Sequence, residues 1–336
     1  MKAVSRRRFM IAGALGAAAL GTPVFRSWAA ERQAPKVLPV GQKYITSYYQ
    51  FTDEAVRALA AGALPNGPEY LHVFVQSAPG TKPRPRTAKA VQSCGSSFKY
   101  GYAFDLHKYA MWKEAGDDQL KAWATEFRAA ALDSAAPADY FAFNEMPDDA
   151  PQHPELRRKV AALVRHLHSA GGGPALRGVF YFTQRNLTPV TWVGESEELW
   201  EVLDETCDLV VGEHFESGRF VARHTPQQIA DLFDVPPRWM VASGDPRRIR
   251  IARDKYAVLS STYYGPQSTN WAGLRSDQAS PEELKRFLET LVTATRLSEF
   301  GKRRIVFSPL QTLNLDRRLY PILAEVIKAD RCGKRD

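Results

Sequence analysis

Short apolar runs rich in β-branched and aromatic residues recur along this chain, each followed by a longer segment with apolar residues three and four apart. Leu71–Gln76, Tyr100–Phe104, Tyr140–Phe143, Gly178–Phe182, Leu209–Val211, Trp239–Ala242, Ala257–Ser260 and Ile305–Phe307 read as strands. Tyr44–Tyr49 reads as either one more strand or part of an N-terminal hairpin. Near-continuous apolar strands belong to a parallel sheet covered on both faces, since a solvated face would impose alternation. Helical spacing marks Asp118–Leu132, Pro154–His168, Ser196–Glu205, Thr225–Phe233, Ser280–Ser298 and Tyr320–Ala329. Thr225 and Ser280 each offer a capping hydroxyl ahead of a first-turn proline, and Gly171-Gly172-Gly173 ends the helix that starts at Pro154. Eight such units in about 260 residues match the size of a (β/α)8 barrel. The rival, an open doubly wound sheet, calls for a phosphate-binding glycine loop after its first strand, and the sequence has none. No linker or low-complexity break divides the chain, so residues 31–336 are expected to form a single α/β domain, a (β/α)8 TIM barrel.

A barrel gathers the residues that follow its strands onto one rim, where barrel enzymes keep their chemistry. Here those positions are polar one after another: Gln76, Asp105 with His107, Asn144 with Glu145, Thr183 with Gln184, Glu213 with His214, Ser243 with Asp245, Thr262 with Tyr263, and Ser308 with Gln311. Glu145 stands out. Tyr140-Phe141-Ala142-Phe143 stops at Asn144-Glu145, and Pro147 forbids the strand from continuing. Apolar neighbours disfavour a carboxylate, so Glu145 is expected to hold its proton and serve as an acid. Glu213 follows a Val-Val run and Gly212, and is the second catalytic candidate. Two rim carboxylates are the minimum set for glycoside hydrolysis, with retention at about 5 Å separation and inversion at about 6.5–9.5 Å. Asp105, His107, Tyr181, Gln184, His214, Tyr263 and Trp271 are candidate substrate contacts. The tyrosines and Trp271 supply flat apolar faces for sugar rings, and the others supply hydrogen bonds.

Asn144-Glu145 at a strand end, with Pro147 one residue further on, resembles the Asn-Glu-Pro signature of the retaining (β/α)8 glycoside hydrolases. The resemblance implies that Glu145 is the acid/base and that Asn144 binds the sugar 2-hydroxyl. Met146 stands between Glu and Pro here. That clan also spaces its two carboxylates three strands apart, whereas one clear strand separates Glu145 from Glu213 in this reading.

The N-terminus belongs to a different code. Ser5-Arg6-Arg7-Arg8-Phe9-Met10 precedes an uncharged stretch to Phe25, and Ser27-Trp28-Ala29 offers small residues for cleavage. The pattern resembles a twin-arginine export signal over residues 1–30, which implies the twin-arginine machinery as a partner and a periplasmic or secreted location. At about 16 residues the stretch is short for a bilayer span, so no stable membrane span is expected after processing. Removing its five basic residues leaves 40 bases against 37 acids, a net charge of about +3 instead of +8. The densest basic run noted, Lys82-Pro83-Arg84-Pro85-Arg86, is broken by prolines and reads as a solvated loop, so no nucleic-acid partner is expected. Three cysteines, Cys94, Cys207 and Cys332, form no metal-binding pair motif.

The expected function is therefore exported glycoside hydrolysis of a poly- or oligosaccharide by Glu145 and Glu213, with no cofactor and no metal. Two alternatives stay open: a barrel that binds saccharide without cleaving it, and a metal-dependent hydrolase using Asp105, His107, His214 and Asp245. Serine-nucleophile motifs, a Walker loop and a dinucleotide fingerprint are absent from the sequence.

Overall fold

Seven apolar runs pair edge to edge as parallel strands: β1 (Tyr44–Tyr49), β2 (Tyr70–Gln76), β3 (Phe98–Asp105), β4 (Tyr140–Asn144), β5 (Arg177–Thr183), β6 (Cys207–His214) and β7 (Tyr256–Ser260). The computed structural model describes residues 44–49, 56–57, 60–61, 64, 67, 70–76, 85–132, 135–183, 186, 191–192, 197–214, 218–260, 280–300 and 319–332, all within one unit, Leu38–Asp336. The helices are α1 (Pro85–Gln92), α2 (Asp117–Leu132), α3 (Pro154–Ser169), α4 (Glu198–Thr206), α5 (Gly218–Arg223), α6 (Pro226–Ala242), α7 (Pro246–Arg250), α8 (Pro281–Leu297) and α9 (Leu319–Cys332). Thr225 and Ser280 form capping boxes with Gln228 and Glu283. Both cost nothing in φ, because the first-turn prolines already have helical geometry.

Strand order follows chain order without a reversal. Right-handed crossovers then deliver every helix to the same face of the sheet. The outward strand residues, among them Phe74, Tyr100, Phe104, Phe143, Phe180 and Phe182, share one core with helix residues such as Leu120, Val160, Leu203 and Phe233. Phe104, Phe143 and Phe180 are register neighbours, and their rings stack at 6.2 and 4.7 Å. The opposite face carries a second core made of strand residues alone: Leu71, Val73, Val75, Ala142, Val179, Tyr181, Leu209, Val211, Ala257 and Leu259. A sheet face buried without helices over it must be covered by the sheet itself. The sheet is curled, and β1 and β7 approach within 8 Å between Cα atoms. Each of those sealed aliphatic side chains contributes about 1.5–3 kcal/mol of burial.

Three strand expectations need comment. Tyr44–Tyr49 pairs in parallel with β2, which removes the hairpin alternative because parallel neighbours need a crossover. Trp239–Ala242 is not a strand; it is the last turn of α6. A four-residue apolar run does not distinguish strand from helix, and the helix carries Pro236 and Pro237 inside it, buried. Ile305–Phe307 lies outside the described residues.

Gly178 of β5 illustrates how tightly the layers meet. A Cβ there would lie 2.5 Å from Phe141 Cζ and 2.7 Å from Cys207 Sγ. Cys94 and Cys207 are free thiols, and burial pushes that of Cys207 up to about 12. Gly178→Ala is expected to destabilise the fold by about 1–3 kcal/mol through overpacking. A urea midpoint equal to that of the parent would disprove the clash.

Candidate active site

Alternation along a strand fixes which residues reach the mouth of the curl. Ala103 borders the inner core and Ala142, Tyr181 and Val211 belong to it, so Asp105, Asn144, Thr183 and Glu213, each two residues further on, form the next layer up. Register makes them two level pairs: Asp105 pairs with Asn144, and Thr183 pairs with Glu213, one inward-facing position further along, since Phe143 is paired with Phe180.

Glu213 is 1 % exposed, and its Oε2 has no hydrogen-bond partner among the described residues. Burial pushes its carboxyl well above the usual carboxylate range, and the negative charge of Glu145 pushes it further the same way. Both causes disfavour the anion. The two carboxyls therefore lie close enough to act on each other. The sequence had given the raised carboxyl to Glu145 on the strength of Phe141 and Phe143. Those rings instead point into the helix layer, and Glu145 itself is only half-buried.

Glu145 reaches the mouth by a backbone device. Strict alternation would turn it outward with Phe141 and Phe143. Its φ is +49°, making it the one non-glycine in the left-handed region among the described residues. That conformation costs of order 1 kcal/mol or more and marks functional positions. Just beyond it, the Met146 amide donates to the Tyr181 carbonyl at 3.1 Å, tying the turn to β5.

The remaining candidates divide. Asn144 and Asp105 stand at the mouth, half-buried. Asp105 ends its strand and accepts the His107 amide at 3.1 Å, so His107 sits exposed in the short 3-10 turn Leu106–Lys108 and not two places along a continuing strand. Tyr181 is fully buried in the inner core, beneath Thr183, and offers no face to a ligand. His214 is corrected outright. It follows Glu213 and so points the other way, into the helix layer, where its ring meets Phe233 edge-on at 5.2 Å. It is 2 % exposed with both ring nitrogens unpartnered among the described residues, and burial lowers its pKa to about 4. Asp245 is the N-cap of α7, accepting the Arg247 amide at 2.7 Å. The four proposed metal ligands are thus not brought together, and no group of three or more His, Cys, Asp or Glu among the described residues is arranged to hold a metal ion. Gln184, Tyr263 and Trp271 lie outside the described residues.

Asn186 and Asp148 escaped the sequence reading. Thr183 donates from Oγ1 toward Asn186 Oδ1 at 2.9 Å and toward Asp148 Oδ1 at 3.2 Å, and its amide donates to Asn186 Oδ1 at 3.0 Å. An Asn placed three residues past a strand end is a turn-forming signal that could have flagged Asn186. Trp192 donates its indole to the Asn186 carbonyl at 2.6 Å and packs among Phe182, Trp200 and Trp239.

No protein-family model matches the chain, and no curated protein matches it. Among solved structures it is similar to a GH18 chitinase from Pseudoalteromonas aurantia, at 12% identity over 84% of this chain and 100% of that one, with a TM-score of 0.51. It also matches a family 5 glycoside hydrolase from Prevotella bryantii B14 solved with a xyloglucan tetradecasaccharide, at 12% identity over 85% and 88% of the two chains and a TM-score of 0.45. A fungal β-1,4-galactanase matches at 10% identity over 80% and 89%, with a TM-score of 0.45. At such identities the likeness is one of fold. The chain has an α/β fold with a curled parallel sheet, similar to that of barrel glycoside hydrolases.

Proposed function

We propose that the protein is an exported glycoside hydrolase that cleaves an O-glycosidic bond in a poly- or oligosaccharide with Glu145 and Glu213. The observation that carries this reading is the buried Glu213 carboxyl at the mouth, its Oε2 without a partner among the described residues, within reach of the Glu145 charge. In the resting state Glu213 keeps the proton and Glu145, half in solvent, is the anion. Glu213 gives its proton to the glycosidic oxygen as the bond to the anomeric carbon breaks. Glu145 either attacks that carbon or takes a proton from an attacking water, stabilising the oxocarbenium-like transition state. This exchanges the roles that the sequence alone pointed to. Asn144 and Asp105 are placed to bind hydroxyls, with Gln184, Tyr263 and Trp271 as further substrate contacts.

A panel of polysaccharides assayed with the parent and with Glu145→Gln tests the reading. Turnover by the parent and its loss in the variant are expected. Equal turnover by both removes Glu145 from the chemistry, and tight binding without turnover replaces the hydrolase with a saccharide-binding barrel.

Export rests on Arg6 and Arg7. Changing both to Lys keeps the charge but removes the guanidinium pair, and is expected to leave the protein in the cytoplasm. Fractionation that finds the double variant exported as efficiently as the parent overturns that part.

A further inference from the structure

The ties around Asn186 are denser than a connecting loop needs. Its side chain is 0 % exposed, and Oδ1 accepts both the amide and the hydroxyl of Thr183. Its own carbonyl accepts the Trp192 indole at 2.6 Å and the Thr191 hydroxyl at 3.3 Å. The Thr183 amide can only donate, so it fixes the orientation of the carboxamide: oxygen toward Thr183, nitrogen away. Nδ2 is then a buried donor with no partner among the described residues.

Thr183 ends β5, the strand flanked by β4, which leads into Glu145, and by β6, which carries Glu213. It is the register neighbour of Glu213 on one side. On the other, its hydroxyl reaches Asp148, three residues after Glu145. A hydroxyl has one proton, so Asn186 and Asp148 compete for it, and the Thr183 rotamer is set by both.

We propose that Asn186 is a positioning residue for the acid pair: it locks Thr183 so that the Glu145 turn and the Glu213 strand are held at fixed separation. The proposal deepens the hydrolase reading and rests on it for the term acid pair. Two links already join the turn to β5, the Met146 amide on the Tyr181 carbonyl and Asp148 on Thr183. The second passes through the Thr183 side chain, which Asn186 orders.

The test uses the full chain with Asn186→Ala, Thr183→Val and Thr183→Ser. In each, the carboxyls of the pair are titrated by NMR on protein labelled at glutamate, with Glu145→Gln and Glu213→Gln giving the assignment. Asn186→Ala and Thr183→Val are expected to move the apparent pKa of Glu213, because its coupling to Glu145 changes with their separation, while Thr183→Ser restores the parent titration. Glu145 is the ionisable group whose charge acts on Glu213, so its own titration is followed alongside. If the parent turns over a glycan, kcat in the first two variants should fall about 100-fold with KM little changed, the size of effect that a displacement of about 1 Å produces. Titrations that stay unmoved in Thr183→Val overturn the proposal whether or not Asn186→Ala folds. An inactive parent with the expected titration shifts leaves the positioning role standing and removes the hydrolase reading instead.

Discussion

Glu213→Gln is expected to lose turnover by about 100- to 10,000-fold and, at the same time, to make the protein more stable at neutral pH. The stability gain follows from the sign of the shift. A carboxyl whose folded pKa lies above its unfolded value of about 4.3 binds its proton more tightly in the native state. Native stability therefore falls as pH rises from about 4.3 toward the folded pKa, and the amide, which does not titrate, escapes that fall. The variant should match the parent near pH 4 and exceed it at pH 7, because only the parent has a buried carboxyl to ionise. Active-site residues that cost stability are common for this reason. Unfolding curves at the two pH values decide the matter: a variant less stable than the parent at pH 7 contradicts the burial argument. Aryl glycosides then separate the roles. Glu213→Gln should keep most activity on substrates whose leaving group needs no proton, whereas Glu145→Gln should lose it on all of them. The opposite pattern returns the acid role to Glu145.

Arg128→Leu should cost about 3–5 kcal/mol, the largest stability loss expected from a single side chain remote from the mouth. Arg128 lies on α2 and is 1 % exposed. It donates to the carbonyls of Ala170 at 2.6 Å, Leu167 at 3.0 Å, His168 at 2.5 Å, Gly172 at 3.0 Å and Pro174 at 2.9 Å. All five guanidinium donors are used. They satisfy the orphan carbonyls at the end of α3 and in the loop of three left-handed glycines that follows, where a cation also meets the negative end of the helix dipole. Leucine would fill the volume and abandon the carbonyls. Arg128→Lys, with three donors and no planar fork, should fall between the two. Denaturant midpoints measure the loss, and a change under about 1 kcal/mol for Arg128→Leu refutes the account.

Sequence and structure agree on helix ends to within two or three residues where a cap or a stop is written locally, as at Ser280 and Gly171, whereas the helix capped by Thr225 reads only to Phe233 in sequence and runs on to Ala242. Strand order was legible only in outline. The run at Tyr44–Tyr49 was left between two readings, and the run at Trp239–Ala242 was misread, because four apolar residues carry no period and only the tertiary neighbours decide. The pair Glu145 and Glu213 was visible as strand-end acids. Which of them holds the proton was not, since it depends on inward against outward facing, and a left-handed backbone at Glu145 reverses the facing that alternation predicts. The same parity explains His214: a one-residue step from Glu213 moves a side chain to the other surface of the sheet. Asn186 and Asp148 were missed because their importance lies in partners that are distant in sequence or that sit in a turn with no periodicity.

The dry plug of Leu71, Val73, Val75, Val179, Leu209, Val211 and Leu259 beneath the mouth has a consequence for traffic. Among the described residues it closes the axis of the curl, so under the proposed hydrolase reading a glycan has one doorway. A chain bound in that way lies across the opening and is released sideways rather than drawn through a tunnel.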